Sequence, residues 1–198
     1  MINTRAVRMA IGFVLFQAGW FACVIGAARG EVALGVATAA AVVAVMLAWS
    51  DRRGADLRLI ALSLAVGFAS DNLLAHADLV RYASPGPWQG WAPPWILMMW
   101  ALFAPMLREP MRWLHGRPAL SAGFGGVGGA LSYAAAERLG ACVFPNPGMA
   151  MAVLAAGWGV ITPLLLAAAH RVELAQRPAS MRAATDDRRS RRSPRRAP

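Results

Sequence analysis

Of the 198 residues in this chain, 58% are hydrophobic and 15% are charged, whereas an average soluble domain is about 45–50% apolar and about 25% charged. The 20 basic residues are all arginine and outnumber the 10 acidic residues. This composition excludes an ordinary soluble enzyme domain and a wholly disordered chain, and two cysteines are too few for a secreted disulfide scaffold. We predict an all-α integral membrane protein.

Six apolar stretches separated by short basic connections are predicted to be transmembrane helices, because about 20 apolar residues are needed to cross a bilayer. These stretches are apolar on all sides, whereas a transmembrane strand alternates apolar and polar residues. Residues 1–170 are therefore predicted to form one six-helix domain. Its spans cover residues 9–28, 32–49, 58–77, 91–107, 118–137 and 149–169.

The first stretch follows Arg5 and Arg8, an arrangement that also occurs in secretory signal peptides. Gln17, Trp20 and the length of the stretch favour a retained helix. Cleavage would leave five spans in the same orientation.

The arginines alternate between the two sides of the predicted bundle. Seventeen of them fall before the first span, in the second and fourth connections and after the last span, while Arg29, Arg81 and Arg138 fall on the other side. The positive-inside rule then predicts that both termini lie in the cytoplasm. Topology explains the charge of +10 better than nucleic-acid binding does, so no specific nucleic-acid partner is predicted.

The connection after the third span is rich in aromatic residues, which settle at the membrane interface. Tyr82, Trp88, Trp91 and Trp95 therefore predict that this connection lies on the outer side. Pro93 and Pro94 suit the first turn of the fourth span, while Pro105 and Pro163 lie inside spans and are predicted to kink them.

Polar residues near the outer ends of the third and fifth spans form the candidate functional cluster. A charge deep in hydrocarbon is costly and usually marks function or a buried partner. Asp71 is predicted to face the interior with Gln17 or Arg138 as its partner, and Asp78 to return to the same helix face. The other reading places these residues at the interface, paired or solvated. The candidate set is Asp71, Asn72, His76, Tyr133, Glu137, Arg138 and Gln17, with Arg29 and Glu31 on the same side.

The glycines of the fifth span are predicted to mediate helix packing. Gly123, Gly125 and Gly128 have the spacing of a dinucleotide-binding loop, but such a loop joins a strand to a helix, and these residues lie within an apolar helix. Small residues four apart allow another backbone to approach closely. Gly125 and Gly129, with Gly126 beside them, are therefore predicted to contact a neighbouring helix.

Cofactor and metal sites are not predicted, because no clustered Cys and His spacing occurs and no nucleophile elbow supports Ser/His/Asp catalysis. Cys23 and Cys142 both map to the outer half, where a disulfide could form, and the sequence leaves their pairing open. Residues 171–198 are predicted to be a disordered, Arg-rich cytoplasmic tail. Anionic lipid headgroups are its expected partner, at roughly 1 kcal/mol per arginine near the surface, and a membrane-protein partner is a further expectation.

Four motifs carry a family resemblance, namely FVLFQAGWFACVIGAA, SDNLLA, PPWILMMWALFAPML and GGVGGALSYAAAERLGA. Over residues 9–170 the chain resembles the bacterial inner-membrane family catalogued as domain of unknown function 2878. That family looks like small multi-span proteins often encoded near fatty-acyl-modifying enzymes, so the resemblance implies a lipid-related role. It brings no catalytic residues with it.

Three functions remain open from the sequence. The favoured one is a non-catalytic accessory or scaffold for membrane-lipid modification, since no active-site motif is found. A small transporter is the second, because six spans can be arranged as three plus three. The third is a membrane-embedded enzyme that acts on lipid through Asp71, His76 or Glu137.

Overall fold

The computed structural model describes residues 4–86 and 90–175. Within these ranges the chain forms six α-helices and two short β-strands. In chain order they are α1 (Thr4–Arg29), α2 (Val32–Ala48), α3 (Arg53–His76), β1 (Arg81–Tyr82), α4 (Pro94–Phe103), α5 (Pro118–Arg138), β2 (Cys142–Val143) and α6 (Pro147–Ala175). Short 3-10 turns at Ala104–Leu107 and Arg112–Leu114 connect α4 to α5.

Each of the six predicted stretches overlaps one of these helices, and the fourth, 91–107, extends beyond α4 at both ends. Three segments, Val7–Arg29, Arg53–His76 and Pro147–Ala175, are long and apolar enough to cross a membrane. The 17 residues of α2 extend about 25 Å at 1.5 Å per residue, which is shorter than the hydrocarbon core of about 30 Å. The prediction of a helical protein is confirmed, and three of its helices are suited by length and composition to crossing a membrane.

A two-stranded ribbon modifies the all-α prediction. β1 pairs with β2 in antiparallel register, with Arg81 opposite Val143 and Tyr82 opposite Cys142. The ribbon joins the loop after α3 to the loop after α5. Two residues on each side are too short a pattern to recognise as strands in the sequence.

The prolines act mainly at helix ends. Pro94 and Pro118 occupy the first turns of α4 and α5, where a missing N–H costs nothing. Pro105 lies in the 3-10 turn that follows α4, so the fourth predicted span is a short helix with a tighter continuation. Pro163 remains inside α6, where it removes one backbone hydrogen bond.

The helices form two hairpins, α1–α2 and α5–α6, on either side of the pair α3 and α4. α1 packs along α2 and α5 packs along α6, while α4 contacts α1, α2 and α3, and α3 reaches α6. One end of the bundle, here the arginine end, holds residues 49–53, 108–117 and 171–175. The opposite end, here the ribbon end, holds residues 29–32, 77–86, 90–93 and 139–146.

The first residues assigned to the predicted tail are helical. Residues 171–175 continue α6, because Val172 packs against the buried cluster at the arginine end and extends the helical pattern. Residues 176–198 lie outside the described residues, as does Trp88.

Candidate functional site

Asp71 is the most deeply buried acidic residue of the described chain, with 0% of its surface exposed. It lies on the inward face of α3, a stripe that includes Leu59, Ser63 and Gly67 at intervals of four residues. That spacing places side chains on one side of an α-helix. The periodicity of α3 therefore carries Asp71 into the centre of the bundle.

Three side chains from three different elements donate hydrogen bonds to the Asp71 carboxylate. The Tyr82 hydroxyl of β1 lies 2.5 Å from Oδ1, and the Trp100 indole nitrogen of α4 lies 2.6 Å from Oδ2. The Tyr133 hydroxyl of α5 also donates to Oδ1. Neither Gln17 nor Arg138 is among these partners, so the expected pairing was wrong. We refer to Asp71, Tyr82, Trp100 and Tyr133 as the Asp71 cluster.

The geometry of the cluster favours a structural role for the carboxylate. Both oxygens are occupied, and no cation is among the partners found in the described residues. Because Asp71 is fully buried, a substrate could reach it only by displacing one of the aromatic donors. The cluster therefore ties α3, β1, α4 and α5 together.

Close helix packing holds the aromatic donors in place. Trp100 stacks on Trp158 of α6, with ring centroids 4.7 Å apart and planes 5° apart. A Cβ added at Gly67 would collide with the Trp100 ring, and one added at Gly129 would collide with the Trp158 ring. These two glycines provide the space that the stacked indoles occupy.

The three glycines predicted to mediate packing all face α6. A Cβ at Gly125 would meet Thr162, and one at Gly126 would lie 2.9 Å from the Ala155 carbonyl oxygen. Together with Gly129, they allow α5 to approach α6 closely over about one helical turn.

Asn72 and His76 organise the loop between α3 and α4. Asn72 Nδ2 donates to the Phe68 carbonyl at 2.6 Å, and its Oδ1 accepts a 2.7 Å bond from the Ala92 amide. His76 Nδ1 lies 2.7 Å from the Asn72 carbonyl oxygen, and its ring meets Trp91 edge-on. Both residues therefore brace the loop and are separate from the Asp71 cluster.

The remaining charges at the ribbon end do not converge on one site. Glu137 Oε1 accepts a 3.1 Å bond from the Phe144 amide, which fixes the loop after α5. Asp78 lies beyond the end of α3 and forms a two-point contact with Arg81, which holds the pKa of Asp78 below its usual range. The side chains of Arg29, Glu31 and Arg138 are exposed. The interpretation of these groups as interfacial fits this arrangement better than a shared site does.

The two cysteines are unbonded. Cys23 and Cys142 are both buried free thiols. Burial, with a smaller effect from Glu137, raises the pKa of Cys142 to about 12. A thiol in this state is a poor nucleophile at neutral pH.

A lateral groove of about 450 Å³ lies beside the Asp71 cluster. α1 and α5 provide much of its lining although they have few direct contacts with each other, and α4 and α6 contribute the stacked indoles. The groove reaches Tyr133, whose hydroxyl is bonded to Asp71. Its aromatic lining residues are Phe16, Trp20, Phe21, Trp100, Phe103, Phe124, Tyr133 and Trp158.

A few polar groups face this groove. Gln17 is half-buried in its lining and is not among the hydrogen-bond partners found for Asp71 in the described residues. The Thr162 hydroxyl is buried and has no hydrogen-bond partner among the described residues. An apolar groove with a few polar groups is typical of a small-molecule or lipid site.

A second buried polar cluster lies at the arginine end. Arg108 Nη1 is 2.6 Å from Asp56 Oδ1, and both side chains are at most 10% exposed. Ser50 donates to Asp56, and Arg108 Nε lies 3.7 Å from Glu173 Oε1. Arg108 was counted from the sequence as a loop arginine, an interpretation that missed its burial. Its position at the end of an apolar stretch carried no signal of the partner 52 residues earlier.

A group of possible metal ligands lies next to this cluster. The ligand atoms of His115, His170 and Glu173 lie within 4.8 Å of one another. The spacing of His170 and Glu173, one turn apart on α6, is visible in the sequence. His115 is distant along the chain, so sequence spacing did not reveal the group.

The comparisons with known proteins identify a family. The model of a family described as "Protein of unknown function (DUF2878)" matches residues 9–164. No curated protein and no solved structure matches the chain. The matched region includes every residue of the Asp71 cluster and every residue that lines the lateral groove.

Proposed function

We propose that this chain, which belongs to the family described as Protein of unknown function (DUF2878) as its motifs predicted, is a non-catalytic accessory protein of membrane-lipid modification. It holds the hydrocarbon chain of a membrane lipid in the lateral groove. It crosses the bacterial inner membrane six times, with both termini in the cytoplasm.

The lateral groove is the observation that carries this proposal. Its volume of about 450 Å³ lies within the range of ligand pockets, about 300–1,000 Å³. Its lining is dominated by aromatic and aliphatic side chains, which offer dispersion contacts to an acyl chain without hydrogen-bond demands. In a protein with three helices suited to crossing a membrane, the abundant apolar molecule beside such a groove is lipid.

The state of the acidic residues favours binding over catalysis. Asp71 is enclosed by three donors, and Glu137 holds a backbone amide. A general acid or base must come within hydrogen-bond reach of a substrate. Neither carboxylate lines the groove.

The distribution of arginines supports the proposed orientation. Arg8, Arg52, Arg53, Arg112 and Arg117 lie at the arginine end, whereas Arg29, Arg81 and Arg138 lie at the ribbon end. The positive-inside rule places the end with more arginines in the cytoplasm. α2 and α4 are short for a full crossing, and local thinning of the bilayer offsets such mismatch at modest cost.

A bulky residue within the groove tests the proposal. Gly128 lines the groove, and a Cβ there has no heavy atom within 4 Å, so Gly128→Phe would place a ring in the groove with no clash at its Cβ. Gly123 lies on the same helix, is equally open and is outside the lining, so Gly123→Phe is the matched control. Both variants would be purified in detergent, and retained lipid would be counted by native mass spectrometry.

We expect the wild type and Gly123→Phe to retain lipid and Gly128→Phe to lose most of it. Equal retention by the two variants would refute a role for the groove. So would a wild-type protein that carries no lipid after mild extraction.

A further inference from the structure

The loop between α4 and α5 meets the C-terminal end of α6 at a group of three potential metal ligands. His115 follows the 3-10 turn Arg112–Leu114, while His170 and Glu173 lie one helical turn apart on α6. The two imidazole rings have centroids 5.6 Å apart. The ligand atoms of all three residues lie within 4.8 Å of one another.

These residue types form a recognised metal-binding set. Two histidines and one carboxylate bind zinc in sites that keep a fourth position for water. Ligand bonds of about 2.0–2.2 Å in a tetrahedron place the ligand atoms roughly 3.4 Å apart. Side-chain rotations that move the ligand atoms by about 1 Å would therefore bring them to metal-binding distances.

The hydrogen bond made by His115 prepares it for this role. Its Nε2 lies 2.8 Å from the Leu107 carbonyl oxygen. A carbonyl only accepts, so Nε2 carries a proton, and in the neutral imidazole Nδ1 keeps its lone pair. Metal-binding histidines commonly donate their second ring N–H to a backbone carbonyl in this way.

The charges around Glu173 are compatible with a cation. Arg108 Nε lies 3.7 Å from Glu173 Oε1, and the charge of Arg108 is balanced by Asp56 at 2.6 Å. The contact with Arg108 involves one carboxylate oxygen of Glu173, so binding of a metal ion through the other oxygen would be compatible with it. His170 is exposed, so water can enter and complete the coordination.

The geometry points to a divalent transition-metal site formed by His115, His170 and Glu173, with zinc the best match to the ligand set. A bound ion would fasten the α4–α5 loop to the end of α6. This site lies at the arginine end, and it is independent of the lateral groove and of lipid binding.

Zinc titration of the full chain in detergent tests the inference. The protein would carry no polyhistidine tag, and zinc binding would be measured by calorimetry and by the shift in thermal unfolding. The variants are His115→Ala, His170→Ala and Glu173→Gln. His76→Ala is the matched control, because the chain has three histidines and His76 lies at the ribbon end.

We expect one zinc ion per chain and a stabilising thermal shift. Loss of an outer-shell partner alone costs about 10–100-fold in affinity, so each ligand variant should weaken binding by at least about tenfold. His76→Ala should bind as the wild type does. Should His115→Ala fail to fold, the exposed His170 provides the decisive variant, with His170→Gln as its conservative form.

Two results would overturn the assignment. One is a wild-type protein that shows neither calorimetric binding nor a thermal shift at micromolar zinc. The other is equal weakening by His76→Ala and His170→Ala, which would indicate non-specific binding to histidine.

Discussion

The Trp100 ring lies flat on the Trp158 ring, with centroids 4.7 Å apart, while its indole nitrogen donates a 2.6 Å hydrogen bond to Asp71. Both indoles line the lateral groove. The buried carboxylate thus fixes the position of an aromatic surface in the groove. We infer that the groove is held preformed by the Asp71 cluster, which reduces the cost of ordering side chains when a ligand binds.

Replacing Asp71 by Asn should destabilise the protein. Asn keeps one carbonyl oxygen and introduces an NH₂ group, which cannot accept a bond from Tyr82, Trp100 or Tyr133. Leaving a buried group unsatisfied costs about 1–3 kcal/mol. Thermal unfolding in detergent, monitored by size-exclusion chromatography, should show a lower midpoint temperature for the variant than for the wild type.

Asp78→Asn is the control for this substitution. Asp78 is exposed and paired only with Arg81 among the contacts described, so its loss should leave the midpoint unchanged. If Asp71→Asn unfolded at the same midpoint temperature as the wild type, the structural role of the cluster would be refuted.

Gly129→Ala should also lower stability, because its added Cβ collides with the Trp158 ring. Overpacking of a well-packed contact typically costs about 1–3 kcal/mol. Gly123→Ala should instead raise stability, since its added Cβ has no heavy atom within 4 Å and alanine is favoured over glycine in a helix by up to about 1 kcal/mol. Unfolding midpoints measured together would test the pair, and similar shifts in the same direction would contradict the packing described here.

Arg108→Ala should be among the most damaging substitutions at the arginine end. It leaves the Asp56 carboxylate buried without its partner, and breaking a buried pair in this way costs about 3–5 kcal/mol. The double variant Arg108→Met with Asp56→Leu should recover much of the loss, because it removes both charges. The amount of folded protein in the membrane and its unfolding midpoint provide the readout.

Arg112→Ala is the matched control for Arg108. Arg112 is a half-exposed arginine four residues further along, paired with Glu109 at 3.6 Å. Exposed pairs contribute about 0–1 kcal/mol. Equal effects of Arg108→Ala and Arg112→Ala would contradict the proposed importance of the buried pair.

The proposed orientation predicts opposite outcomes for two reporter fusions. Alkaline phosphatase is active only outside the cytoplasm, so a fusion after Gly90 at the ribbon end should be active. A fusion after Gly116 at the arginine end should be inactive. Immunoblotting would check that both fusions are present in equal amounts, and the reverse pattern of activity would invert the orientation.

The helices could be predicted from the sequence because apolar stretches and their flanking arginines are local signals. The burial of Asp71 was also predictable, since a charge within an apolar stretch needs an enclosed environment. Its partners were not predictable. Tyr82 reaches Asp71 through a two-residue ribbon, and Trp100 lies in a stretch whose other aromatic residues gave no reason to single it out.

Arg108 illustrates why contacts between distant parts of the chain could not be predicted from the sequence. An arginine after an apolar stretch fits the positive-inside rule whether it is exposed or buried. Its burial depends on the 3-10 turn at Ala104–Leu107, which follows the short helix α4 and carries Arg108 toward Asp56. The lateral groove likewise depends on the spatial arrangement of four helices, and the sequence of any one helix does not predict that arrangement.

The central claim is that a lipid chain occupies the lateral groove. Photo-crosslinking with a phospholipid that carries a diazirine at the end of its acyl chain, followed by peptide mapping, tests it most directly. Crosslinks should concentrate on residues 16–21 of α1 and 124–135 of α5, and Gly128→Phe should abolish them. Crosslinks spread equally over exposed apolar positions outside the groove, such as Leu34 and Val160, would contradict the claim.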